Sequence, residues 1–199
     1  MTVVTHVEWG FHMDAHDIEN ALDVDDRYQD WVYRHPLQGA ALAGFIAVQI
    51  TTIWGYYAKG IGLPPLPWPN FNGGLFAPAS FAADFSNYGN TGQFFVGQSI
   101  HMVNGVVFAI LFVLTLRAKI PAFGSKMQSI QKGLLFGVVL AIISMGFLVP
   151  YVYVPKSGYG FFSFYTADGA KLPLAILIWH LVYGGILGML YDPKKADAA

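Results

Sequence analysis

Four stretches of the chain, residues 36–58, 91–116, 133–155 and 172–191, contain no Asp, Glu, Lys or Arg. Each is long enough to cross a hydrocarbon core of ~30 Å, which takes about 20 helical residues. Lipid offers no hydrogen bonds to an exposed backbone, so only helices and closed barrels can span it. These stretches lack the alternation of barrel strands, which leaves helices. Composition agrees, with 55% apolar and only 12% charged residues, against ~25% charged in soluble proteins. The expected fold is all-α: an integral membrane four-helix bundle occupying residues 36–192, with spans at about 37–58, 93–116, 133–154 and 172–191.

The flanking charges orient the bundle. Eight of the eleven lysines and arginines lie before the first span, between the second and third, or after the fourth: Arg27, Arg34, Arg117, Lys119, Lys126, Lys132, Lys194 and Lys195. The positive-inside rule therefore expects both termini in the cytoplasm, for a prokaryotic inner membrane. Residues 1–35 carry eight acids against Arg27 and Arg34. They read as an acidic amphipathic helix on the cytoplasmic side, with Ile18, Leu22, Trp31 and Val32 on its apolar face and Pro36 marking the entry to the membrane. Anionic lipid would repel such a segment, so it should pack on protein. Residues 193–199 form a short cytoplasmic tail. The charge pattern contains no basic patch suited to nucleic acid. The absence of cysteine excludes disulfides and thiolate chemistry.

The first outer loop holds Pro64, Pro65, Pro67 and Pro69, which should forbid regular helix. Its Trp68, Phe71 and Phe76 are too apolar for a solvated loop and are candidate anchors for a partner or the membrane interface.

Two phrases recur seventy-nine residues apart: "HMVNGVVFAIL" from His101 and "HLVYGGILGML" from His180. "GAALAGFIAVQIT" in the first span likewise resembles "KGLLFGVVLAIIS" in the third, aligning Gly44 with Gly137. The chain thus reads as two tandem helical hairpins related by an axis along the membrane normal. His101, Gly105 and Ala109 share one helical face, as do His180, Gly184 and Gly188, making a stripe of small residues headed by histidine. Such stripes let backbones approach, so the second and fourth helices should touch near Gly105 and Gly184. Each imidazole would then bond a carbonyl or Asn104, Gln98 or Tyr183. The alternative is that His101 and His180 are the axial ligands of a b-type haem. His12 and His16, four apart beside Asp17, are a candidate metal pair. No nucleophile–base set or phosphate loop stands out, and no carboxylate or cation sits inside a span.

Around "IQKGLLFGVVLAIISMGFLVP" and "AILIWHLVYGGILGMLYDP" the chain resembles a functionally uncharacterised prokaryotic four-helix membrane family. In that family a histidine lies in the second helix and an H-[L/F]-V-x-G phrase in the fourth, matched here by His101, Gly105, His180, Gly184 and Gly188. The resemblance implies the paired-hairpin fold and no activity. The expected function is a non-catalytic accessory subunit of a larger membrane complex, in contact with lipid and with other membrane subunits and requiring no cofactor. The alternative is a haem-binding electron-transfer subunit.

Overall fold

The computed structural model describes residues 15–76, 84–85, 89–117, 126–153, 155 and 159–194. Helix α1 (Ala15–Arg34) ends at His35, where Pro36 opens α2 (Pro36–Tyr57), and a 3-10 turn extends α2 to Ile61. A short α3 (Trp68–Phe76) and a two-residue β pair (Asp84–Phe85 with Gly89–Asn90) precede α4 (Thr91–Leu111), whose end winds as π-helix to Leu116. Helix α5 (Lys126–Ile143) passes into a longer π-helix, Ser144–Tyr153, and α6 (Lys171–Leu190) completes the bundle. Among the described residues four helical segments are long and apolar enough to cross a membrane: Pro36–Ile61, Gly92–Thr115, Gln128–Tyr153 and Lys171–Leu190. They lie within a few residues of the spans expected from the charge-free stretches, the third beginning earliest relative to expectation.

Lipid is as apolar as a leucine side chain, so helices in a membrane associate through close van der Waals packing and polar contacts. The chain meets that demand with small residues. Helix α2 buries Gly39, Ala40, Ala43, Gly44 and Ala47 and packs against both α4 and α6. Its buried Thr51 and Thr52 hydroxyls donate to the Ala47 and Val48 carbonyls, 2.8 and 2.6 Å away, so they add no unpaired polar group.

The glycine stripes correct the expected crossing. Gly105 faces α2, where a Cβ would lie 2.6 Å from Val48 Cβ, while a Cβ on Gly44 would lie 2.5 Å from the Gly105 carbonyl oxygen. Gly184 faces α5 instead: a Cβ there would overlap the Gly133 carbonyl, and one on Gly188 would overlap the Ser129 carbonyl. Each stripe seals its own hairpin. The second and fourth spans do not meet glycine to glycine.

Helix α3 corrects the expectation of an irregular loop. Pro69 sits in its first turn, where a missing N–H costs nothing. Glycine then decides its position, because a Cβ on Gly73 would overlap the Gln93 carbonyl and one on Gly97 the Pro69 carbonyl. The helix therefore lies directly on the start of α4 and tucks Trp68 and Phe71 into one end of the bundle.

The opposite end gathers the charges. Tyr28 Oη donates to the Leu190 carbonyl (3.0 Å), and Lys194 N to the Gln29 carbonyl (3.3 Å). Ser129 Oγ donates to Asp192 (2.7 Å), and Arg117 stacks over Tyr191. The acidic segment does pack on protein here, since Val32 and Gln29 are buried against the chain's own bundle.

Candidate functional site

Both histidines line one cavity of about 230 Å³. It lies between α4 and the α5 π-segment, with α3 over one end and α2 and α6 behind it. Trp68 and Asn72 reach it from α3, His101, Asn104 and Phe108 from α4, and Trp179, His180 and Tyr183 from α6. Leu140, Ile143, Ser144, Leu148 and Tyr153 come from α5 and its π-helical continuation. Among the described residues that line it, none is a lysine, arginine or carboxylate.

The π-helix follows from Pro150, which cannot donate to an α-helical ladder. A wider turn accommodates the lost bond without ending the helix, and such turns recur at functional sites. Ser144 and Tyr153, at the two ends of this segment, both reach the cavity.

Hydrogen bonding assigns the two imidazoles opposite tautomers. Tyr153 Oη donates to Asn72 Oδ1 at 2.8 Å. With the Asn72 amide in this orientation, its Nδ2 donates to His101 Nδ1 at 3.2 Å. A neutral His101 accepting at Nδ1 carries its proton on Nε2. This Nε2 is buried without a partner. His180 Nδ1 lies 2.7 Å from the Ile176 carbonyl and must donate to it, so its Nε2 accepts from Ser144 Oγ at 3.0 Å. His180 is satisfied at both nitrogens, whereas His101 is satisfied at one.

Indole rings wall the site. Trp179 stands 5.5 Å from the His101 ring and 4.9 Å from the His180 ring, centre to centre. Trp68 packs on Tyr153, Trp179 and His180 at 5.9–6.1 Å. Tyr183 Oη donates to the Gly105 carbonyl at 2.6 Å, tying α6 to α4 below the histidines.

These positions decide several expectations. Neither Gln98 nor Tyr183 bonds a histidine: Gln98 pairs with Gln49 of α2, and Tyr183 with Gly105. Trp68 is buried and Phe71 half-buried against Tyr153, so both serve the chain's own interior, and of the three suggested anchors only Phe76 is exposed. His12 and the side chain of His16 lie outside the described residues. Among the described residues no three His, Cys, Asp or Glu side chains gather as a metal site.

A b-type haem does not fit the residues as packed. One axial nitrogen, His180 Nε2, is held by Ser144, and Trp179 stands against both imidazoles. A cavity of about 150 Å³ accommodates one benzene ring; the 230 Å³ here is far short of four linked pyrroles.

Asn72, Ser144, Tyr153 and Trp179 were missed as site residues. Trp179 adjoins His180 in sequence and Asn72 is a polar residue in an aromatic loop, which are weak signals. Ser144 and Tyr153 carry none. No family model, curated protein or solved structure matches the chain.

Proposed function

We propose that the chain is a membrane-embedded binding subunit that holds a small uncharged molecule inside its helix bundle and serves a larger membrane complex. The observation that supports this most is the convergence of both histidines on one cavity, with the buried His101 Nε2–H lacking a partner. A buried donor without an acceptor costs roughly 1–3 kcal/mol. A ligand supplying that acceptor recovers the loss. The charge-free lining favours a neutral molecule, because burying an ion with no counter-charge is far more costly. Apolar walls with a few converging polar groups are the usual make-up of small-molecule sites.

Service to a complex draws on the exposed aromatic collar at the α3 end: Phe76, Phe95, Phe161, Phe164 and Tyr165. In this reading the α3 end faces outward and both termini lie in the cytoplasm of a prokaryote, following the distribution of basic residues.

Two experiments test the proposal. Mass spectrometry of the chain, purified in mild detergent, should find a small molecule that is depleted in the cavity-filling variant Leu140→Trp; equal recovery from both would reject the binding role. Because the chain lacks cysteine, single cysteines introduced at positions 75, 125 and 165 report topology cleanly. Positions 75 and 165 should label from outside intact cells, and labelling at 125 would reverse the orientation.

A further inference from the structure

We infer that the cavity takes the ring of a lipid-soluble quinone, entering sideways from the bilayer and accepting a hydrogen bond from His101 Nε2–H to a ring carbonyl. The inference rests on the binding role proposed above and names its ligand.

Three observations carry it. The first is the donor. In the observed orientation of Asn72 the hydrogen bonds Tyr153–Asn72–His101 leave the proton on His101 Nε2, and His101 is only 6% exposed. Trp68, lining the same cavity, also has a buried Nε1–H without a partner. The Trp179 indole N–H is unpartnered too, but it lies against α2, 3.1 Å from where a Gly55 Cβ would be. The site therefore asks for an acceptor, and a carbonyl is the strong neutral acceptor. Asn104, three residues beyond His101 on the same helical face, adds an amide to the lining.

The second is shape. Trp68, Trp179 and Phe108 supply flat aromatic walls, and about 230 Å³ holds one substituted six-membered ring. The third is the route. Ile143 lines the cavity and is also 47% exposed on the bundle's outer face. Helix α4 packs on α2 and α3, and α5 packs on α6. The proposed entry is therefore at Ile143, between α4 and α5, where an alkyl tail would remain in the bilayer. A lipid ester carbonyl shares the acceptor chemistry but has no ring for the aromatic walls.

The test uses the full chain in nanodiscs of diether phosphatidylcholine, which has no ester carbonyl. Decylbenzoquinone should quench tryptophan fluorescence saturably, since Trp68 and Trp179 line the site. Half-saturation should need at least tenfold more quinone in His101→Phe, with recovery in His101→Gln, which restores an N–H. An infrared measurement on the unmodified chain needs no variant: the isotope-labelled carbonyl stretch of bound quinone should shift to lower frequency. Unsaturable quenching, or equal affinity in His101→Phe, overturns the inference, as does an unshifted carbonyl. Displacement of the quinone on changing to diester lipid assigns the donor to a lipid ester and also overturns it. Toluene, a ring without a carbonyl, separates this inference from the binding role. If toluene raises the melting temperature but the quinone shows no dependence on His101, the ligand is wrong and the cavity remains a binding site. If neither probe acts, both fail.

Discussion

The two hairpins use the same histidine-headed glycine stripe to different ends. In the second hairpin Gly133, Gly137, Gly184 and Gly188 all press on partner backbone. Its histidine is bonded on both ring nitrogens within the same hairpin. In the first hairpin the seam between spans is shorter, set by Gly44 and Gly105 with Val48 and Ala109 beside them. Its helix α4 gives a second face to α3 through Gly73 and Gly97. The histidine there leans on an inserted helix and keeps one nitrogen free. A repeat can therefore preserve a packing motif while one copy closes into scaffold and the other stays open to a ligand.

The strongest test of that difference is steric. Gly184→Ala should destabilise the bundle by about 3 kcal/mol, the upper end for overpacking, because the new methyl meets the Gly133 carbonyl and backbone cannot step aside. Gly105→Ala meets mainly the Val48 side chain and should cost about 1–2 kcal/mol. Unfolding in mixed micelles measures both, and equal costs would break the comparison.

Next in size is the seam between α3 and α4. Gly97→Ala should displace α3 and cost about 2 kcal/mol. Trp68, now 5% exposed, would become accessible to a water-soluble fluorescence quencher. Unchanged quenching would mean that α3 is held by its aromatic contacts alone.

The histidines should differ in the same sense. His180→Ala removes two hydrogen bonds, and at about 1 kcal/mol or less per membrane polar contact it should cost about 1–2 kcal/mol. His101→Ala removes one bond and should cost about half that in the absence of ligand. The reverse order would place the scaffold in the first hairpin.

The smallest effect is expected at the charged end. Tyr28→Phe loses the bond to the Leu190 carbonyl and should loosen α1 by about 1 kcal/mol or less. Burial raises the Tyr28 phenol above its ordinary pKa. The neutral phenol therefore supports docking fully below the ordinary tyrosine value, and the support is lost as pH rises through the raised one. Hydrogen exchange along α1 should show this alkaline loosening in the wild type and not in Tyr28→Phe.

Much of the fold was legible because a membrane reads composition: an uncharged run of about 20 residues has few other uses. The small stripes were legible as close-approach surfaces. Their partners were not, since a row of glycines states how near another helix can come and not which helix it is. Helix α3 was hidden by its prolines, because Gly73 and Gly97 act only once α4 is in place to receive them. The histidines were found from the repeat, but the Asn72–His101 and Ser144–His180 pairs join residues far apart in sequence, with no periodicity to announce them.

Pro150 reaches further than its own turn. By holding Ser144–Tyr153 in the wider winding, it carries more residues per turn than an α-helix would and so sets the angular phase at which Tyr153 arrives opposite Asn72. Rewinding this segment as α-helix at unchanged length, as Pro150→Ala would favour, would turn Tyr153 around the axis and away from Asn72. The phenol would leave Asn72, and with the amide turned over His101 would exchange its buried donor for an acceptor. The polarity of this pocket is thus written in the winding of a neighbouring helix, where a substitution at Pro150 could invert it without altering any residue that lines it.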